Sequence, residues 1–340
     1  MTATEFRTDP ISGRVAILVP GRSARPNEHA IVPPTAPADP NCPFCEGNEG
    51  VTPAELAVVA PPGRPPNSPG WYVRVIPNRF PTVNGDLAPP AEPVPTSRLS
   101  RSAAFGYHEV VIESPKHAPT LGFLAPEQVE RVVRTCRDRV RELTGRPRVG
   151  TVTLFENTGP ESGGSLWHPH AQLVTVPAIS PALREELEGA AAYRAHSGIG
   201  CALESVIADE LQDGQRELFA SEGFVGFTPF ASALPYEVRV VPTRHMRTMG
   251  EMTDPEASAL AGHLSALLRA FLTVLPGASY NFVVRSPAAL PEAEGYHWHL
   301  DLYPRLIRPD GFDLGSGYAV NTVPPEVAAE ALRAALAAKR

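Results

Sequence analysis

YHEVVIESPKH (Tyr107–His117) and YEVRVVPTRH (Tyr236–His245) are two versions of one passage, and the segments after them are the same in kind. The first leads into TLGFLAPEQVERVVRTCRDRVREL, TVTLFENTG and SLWHPHAQLVTVP; the second leads into TMGEMTDPEASALAGHLSALLRAFL, YNFVVR and EGYHWHLDLYP. Runs rich in Val and Ile that close on a proline read as strands. The long stretches after them, opening beside Pro126 and Pro255, read as helices. The predicted order is strand, helix, strand, strand in both. His168 follows His117 by 51 positions and His297 follows His245 by 52. Coincidence between two generic units would not preserve a histidine after the first strand and an HxH at the last. The chain is therefore read as an internal duplication of α+β class: two tandem modules, residues 1–190 and 191–340, each an antiparallel sheet with packed helices.

Within the first predicted helix, Val129, Val132, Val133, Cys136, Val140 and Leu143 fall on one apolar stripe, which makes Cys136 a core thiol. Ala257–Leu275 is the most apolar stretch, but His263 and Arg269 interrupt it, so it is expected to be a core helix rather than a membrane span. At 340 residues with 43% hydrophobic and 20% charged residues, the chain can bury a sizeable core. Its net charge of −7 argues against a nucleic-acid surface, so a phosphate ligand must meet local donors. MTATEFRTDP lacks the basic-then-apolar order of a secretory signal, and the protein is expected in the cytoplasm, where its four cysteines are reduced. Proline-rich segments at Ile31–Pro43, Ala60–Pro69 and Leu87–Pro95 read as long extended connections.

Reduced cysteines turn attention to NCPFCE, where Cys42 and Cys45 form a Cys-x-x-Cys pair in a proline-bounded loop. Such a pair chelates zinc, and a structural site closes at four ligands. His117 and His168 are the best candidates for the other two. The competing readings are a redox pair, which lacks the usual βαβ setting, and two unrelated thiols. Carried through the duplication, the same logic picks out Cys201, Glu204, His245 and His297 as a second, less complete set with a carboxylate in place of one thiolate.

HPHAQ (His168–Gln172) precedes Leu-Val-Thr-Val, a strand pattern in which His168, His170 and Gln172 share one face. A partly neutral imidazole at His170 can attack phosphorus and form a phosphoramidate that a second acceptor reopens. Gln172 can donate its amide to a phosphate oxygen. Upstream, Asn157, Gly163, Gly164 and Ser165 in ENTGPESGGS offer side-chain and backbone donors in an approach where glycine lets the backbone come close.

HPHAQ, CPFC, SPKH and ENTGPESGGS together resemble the galactose-1-phosphate uridylyltransferases, the transferase branch of the histidine-triad superfamily, and the resemblance covers nearly the whole chain. It implies two histidine-triad-like modules built as half-barrels. It implies that His170 is the nucleophile, that Cys42, Cys45, His117 and His168 hold zinc, and that Gln172, Ser165 and Asn157 bind phosphate. FRTDPISGRVAILVPGRSARP is similar to the opening strand and its basic phosphate-contacting turn, which maps to Arg22 and Arg25. RVIPNRFPTV resembles the nucleoside-binding strand, with Asn78 at the ribose position. GFDLGSGYAVNTVPPE resembles the segment that reaches the other subunit's active site, which implies a homodimer. Two departures stand out. Asn78-Arg79 replaces the Asn-Asp of some members, and in HWHLDLYP Asp301 stands where a further histidine is expected, with no well-placed histidine before it to complete the iron site of some members, so iron is not expected. The activity implied is exchange of UMP between UDP-glucose and galactose-1-phosphate, a nucleotide sugar and a sugar-1-phosphate. The alternative is a related transferase of other specificity, such as ADP-glucose phosphorylase, whose branch the cysteine-bearing second half resembles. A hydrolase or nucleotide-binding module is disfavoured by Gln172, because the small hydrolases generally continue the triad with another histidine.

Overall fold

The computed structural model describes residues 4–24, 39, 41–90, 101–117, 120–198, 200–293 and 295–338. In chain order the elements are β1 (Glu5–Thr8), β2 (Val15–Leu18), β3 (Ala57–Val59), β4 (Val73–Pro77), β5 (His108–Ile112), α1 (Pro126–Thr144), β6 (Thr151–Thr158), β7 (His170–Val176), α2 (Pro181–Ser197) and α3 (Ala202–Asp213). They continue with β8 (Glu217–Ser221), β9 (Phe224–Phe227), β10 (Val238–Pro242), α4 (Asp254–Val274), β11 (Tyr280–Pro287), β12 (Leu300–Pro304), α5 (Gly311–Ser316), β13 (Ala319–Asn321) and α6 (Pro325–Ala337). The repeated order of strand, helix, strand, strand is present as β5, α1, β6, β7 and as β10, α4, β11, β12.

One antiparallel sheet of ten strands carries both repeats, in the order β3-β4-β5-β7-β6-β11-β12-β10-β9-β8. Read outward from the β6–β11 seam, the two halves mirror each other. The sequence suggested a separate sheet for each half; instead β6 and β11 pair from Thr151↔Pro287 to Tyr280↔Thr158. Each half would otherwise end on an unpaired edge at its longest strand, and pairing the two edges removes that liability. The boundary expected between residues 190 and 191 falls inside α2, and α2 and α3 together connect β7 of the first set of strands to β8 of the second. A small second sheet, β1-β2-β13, brings the C-terminal tail back to the N-terminus through the parallel β2–β13 pair. Ala60–Pro69 contains no helix or strand, and most of the other two proline-rich segments falls outside the described residues.

Alternation along the strands sorts the two faces of the large sheet. Val111, Ala171, Leu173, Leu154, Val284, Leu300 and Val240 belong to the core beneath α1 and α4. The α1 stripe predicted from spacing is buried as a unit, including Cys136, whose thiol is pushed up by burial and by Glu113 and Glu156. The first turn of α4 is fixed by Thr253 and Glu256 in a capping box with Pro255 beside it. α4 is long and apolar enough to cross a membrane by composition, but it packs against α1 and contributes Leu260, Leu264, Leu267, Leu268 and Phe271 to the core.

Two carboxyls interrupt this apolar face. Glu113 is fully buried and Glu156 nearly so, with Tyr280 close by. Burial pushes both upward, Glu156 to about 7, and the mutual repulsion raises Glu113 further. A carboxyl raised in the folded state binds a proton there that the unfolded chain releases, so stability falls as pH rises through this window. Stability is expected to decline from the ordinary glutamate range, about 4.3, through about 7, where Glu156 ionises, and to continue falling as Glu113 follows. In Glu113→Gln that decline should flatten, because the amide removes one acid and can donate to Glu156. Urea midpoints at about pH 5 and about pH 8 test this, and equal slopes in the two proteins would count against it.

Candidate active site and metal-ligand clusters

The opposite face of the sheet collects the polar chemistry. His170 opens β7 opposite Ile112, and Gln172 lies opposite Val110. The His170 imidazole is buried, and its Nδ1 donates to the carbonyl of His168 at 2.7 Å. That bond places the proton on Nδ1 and leaves Nε2 as the lone-pair nitrogen, without a hydrogen-bond partner among the described residues. Burial also lowers the pKa of His170, which keeps the ring neutral. Phe44, between the two cysteines of the loop, packs edge-to-face with His170 and His168, with ring centroids 5.2 and 6.0 Å apart.

The glycine-rich approach lies beside His170, one step past the Glu156↔Ala171 pair. Asn157 Oδ1 accepts from Asn281 Nδ2 at 2.7 Å, and that same Asn281 nitrogen donates to the Ser162 carbonyl at 3.0 Å. With Oδ1 occupied by Asn281 of β11, the donor end of Asn157 is left for a ligand. Gly159 has φ +83, and a Cβ there would stand 2.3 Å from Ser279 Oγ. A Cβ on Gly164 would stand 2.8 Å from the Asn157 carbonyl. Side chains are excluded at both positions, as the close approach of loop to strand requires. Gly163 adopts φ +84 at the end of the turn Pro160–Ser162, and Ser165 is exposed.

Asn78 follows β4 directly and reaches the same face, its Nδ2 lying 3.4 Å from Gln172 Oε1. Arg22, by contrast, pairs with Asp310 at 3.2 Å on the exposed surface, and Arg25 lies outside the described residues.

Cys42, Cys45, His117 and His168 converge, with ligand atoms within 4.8 Å of one another. Their sulfur-to-nitrogen separations are 3.5 Å for Cys42–His168, 3.7 Å for Cys45–His117 and 3.5 Å for Cys45–His168. Bonds of about 2.3 Å to sulfur and about 2.0 Å to nitrogen around a tetrahedral zinc space such atoms by about 3.5 Å. His168 Nε2 donates to the Ser114 carbonyl at 2.7 Å, so the nitrogen facing the thiols carries the lone pair, the usual arrangement around a ligating histidine. Burial pushes His168 down to about 4, and burial with the neighbouring Cys42 pushes Cys45 up to about 11. A divalent cation would let these thiols ionise. The donor set therefore fits zinc in type, spacing and tautomer.

The second set, Cys201, Glu204, His245 and His297, converges in the same way. Cys201 Sγ lies 3.5 Å from His297 Nδ1, Glu204 lies 3.5 Å from His245, and His297 Nε2 donates to the Pro242 carbonyl at 2.9 Å. Each feature has its counterpart in the first set. The difference is exposure: the side chains of His245 and Glu204 are 38% and 47% exposed.

A third acidic cluster is closed by guanidinium groups. Glu186, His299 and Asp301 come together, but Arg285 pairs with Glu186 at 2.9 Å and with Asp301 at 3.3 Å, and Arg239 holds Asp301 at 2.7 Å. Burial would raise Asp301, yet Arg239 and His299 hold it well below the carboxylate range. His299 is the repeat's counterpart of His170, and its Nε2 is enclosed between Glu186 and Asp301 at 3.8 and 3.4 Å. Nε2 of His299 makes no hydrogen bond either, but it is buried between two carboxylates, a setting that repels an anionic phosphate.

Residues 2–179 match the family model for galactose-1-phosphate uridyl transferase, N-terminal domain. An ADP-glucose phosphorylase from Arabidopsis thaliana is 29% identical over 334 residues, covering 97% of this chain and 92% of that one. A galactose-1-phosphate uridylyltransferase from Thermotoga maritima is 25% identical over 338 residues, covering 97% and 98%. Among solved structures, an Arabidopsis ADP-glucose phosphorylase with bound ADP-glucose superposes with a TM-score of 0.84 at 28% identity, covering 98% of each chain.

Proposed function

The chain belongs to the galactose-1-phosphate uridyl transferase family of nucleotidyltransferases, and we propose that it moves a nucleoside monophosphate from a nucleotide sugar to a second acceptor through a covalent bond to His170. The observation that carries this reading is the His170 tautomer, with Nδ1 bound to the His168 carbonyl and Nε2 free. In the first step Nε2 attacks the α-phosphorus. The bond from that phosphorus to the bridging oxygen breaks, and the hexose-1-phosphate departs with the electron pair. In the second step an oxygen of the acceptor phosphate attacks the same phosphorus and Nε2 leaves. Gln172, Asn157, Ser165 and the Gly163–Gly164 backbone stabilise the phosphoryl oxygens. Asn78 holds the ribose. The first 190 residues carry the chemistry and the second half is its scaffold.

Zinc belongs to this reading, held by Cys42, Cys45, His117 and His168, with a second ion on Cys201, Glu204, His245 and His297. Its contribution is structural: it fixes the loop that presses Phe44 against His170. A homodimer is also part of the proposal, supported by the exposed apolar group Phe6, Phe312, Leu314 and Tyr318 beside the small sheet.

For the transferred group, the likeness to ADP-glucose phosphorylase over 97% of the chain supports an adenylyl group passing from ADP-glucose to phosphate. The uridylyl exchange expected from the sequence is the second reading, supported by the family match. Incubation with a panel of nucleotide sugars, followed by mass analysis of the peptide containing His170, decides between them. An AMP adduct from ADP-glucose supports the first and a UMP adduct from UDP-glucose the second. Binding without an adduct from any nucleotide sugar would rule out the covalent route.

A further inference from the structure

His108 opens β5, is buried, and takes part in a chain of hydrogen bonds that ends at Gln172. The chain has an unambiguous start. The backbone N–H of Thr82 lies 3.0 Å from His108 Nδ1, and a backbone N–H can only donate. Nδ1 is therefore the bare nitrogen and Nε2 carries the proton. That proton points at Gln172 Oε1, 2.8 Å away. Asn78 adds a second donor to the same oxygen, with Nδ2 at 3.4 Å, while its own Oδ1 is pinned by the Phe80 N–H at 2.8 Å. The 3.0 Å contact between Asn78 Nδ2 and His108 Nε2 brings two donors together and is not a hydrogen bond in this tautomer. Burial lowers the pKa of His108 against the opposing bond to Gln172, in keeping with a neutral ring.

The consequence falls on the other end of Gln172. An amide has one acceptor end and one donor end; with Oε1 engaged from two sides, the NH2 is the end turned away from His108. A glutamine rotated the other way would set a carbonyl dipole against an anionic phosphate. We propose that His108 is a positioning residue for nucleotide transfer, holding Gln172 so that its NH2 faces the phosphoryl group at His170. This rests on the reading of His170 as nucleophile. It also ties the loop from Asn78 to Thr82, which comes after β4, to the donor that meets the phosphate.

The test compares His108→Leu, which has no donor, with His108→Gln, whose amide can accept from Thr82 and donate to Gln172. Single-turnover formation of the His170 adduct is followed with ADP-glucose and UDP-glucose, alongside nucleotide-sugar affinity and melting temperature. Loss of a preorganised donor costs about 100-fold or more in rate, and misorientation of one should slow adduct formation by about 10- to 100-fold in His108→Leu. Affinity should change by less than about threefold, and His108→Gln should recover most of the rate. A loss shared equally by the Leu and Gln variants, or a Leu variant that labels at the wild-type rate, overturns the inference while leaving the nucleophile assignment intact. No adduct in the wild-type protein overturns both. Nitrogen chemical shifts of His108 in the intact wild-type protein give a check independent of how the variants fold: a bare Nδ1 with protonated Nε2 is expected, and the opposite tautomer overturns the proposal.

Discussion

His170→Asn is expected to reduce nucleotide transfer on the order of 10⁴-fold or more, and to remove the covalent adduct altogether. The asparagine amide can keep a contact to the His168 carbonyl, but it offers no lone pair where Nε2 stands, and phosphorus has nothing to bond to. At about 1.36 kcal/mol per decade the loss corresponds to about 5.5 kcal/mol of transition-state stabilisation. Because His170 lies two residues past His168 and is not one of the four converging metal-ligand residues, its replacement should leave metal content and melting temperature near wild type. The repeat supplies an internal control. His299 occupies the equivalent place, but its Nε2 is enclosed by Glu186 and Asp301. A His299→Asn protein that folds should still form the His170 adduct, its defect appearing in stability. The measurement is the burst of labelled protein on mixing with nucleotide sugar. Persistent labelling in His170→Asn would locate the nucleophile elsewhere and sink the assignment.

This contrast also marks how far residue types and spacing alone reach. Periodicity found both repeats because each first strand ends in Pro and His, and because the α1 stripe from Val129 to Leu143 needs only local spacing. The cysteine pair and the histidines were legible because ligands of one ion are constrained in type and number. What could not be read depends on pairing between distant strands. The β6–β11 seam, which fuses two half-sheets into one, is set by register between residues more than a hundred positions apart. His108 was missed for the same reason. Alternation places it on one face with Val110 and Ile112, but its neighbours Gln172 and Thr82 are set by the β5–β7 register and the loop after β4. Phe44 and Asn281 belong to that class too, being ordinary residues until the fold sets them beside His170 and Asn157. Glu186 and Asp301 teach the reverse lesson. They look like ligands by type, and only the arrival of Arg285 from β11 shows how their charge is balanced.

Metal removal is the second large effect, and the two clusters should not respond alike. About two zinc ions per chain are expected, one for each Cys-containing group. In the first group Cys42 and His168 are fully enclosed, whereas in the second His245 and Glu204 are more than a third exposed. A chelator reaches the exposed pair first, and a carboxylate is a weaker partner for zinc than the thiolate it stands for. Release should therefore come in two phases, the fast one absent from Cys201→Ser and the slow one absent from Cys42→Ser. Structural zinc contributes on the order of 10 kcal/mol in small domains; here the ten-stranded sheet retains part of the order, so a loss of about 5 kcal/mol per ion and a fall in melting temperature of about 10 °C or more are expected. Function should separate the sites further. Without the first ion the Cys42–Cys45 loop loses its anchor and Phe44 its purchase on His170, so adduct formation should slow in Cys42→Ser even at temperatures where the protein is folded. Cys201→Ser should lose stability but label His170 at close to the normal rate, because its ligands border the enclosed His299 instead. Zinc analysis together with labelling rates tests the whole scheme: a metal-free wild-type protein, or equal loss of labelling in the two variants, would remove the structural role given to the first site.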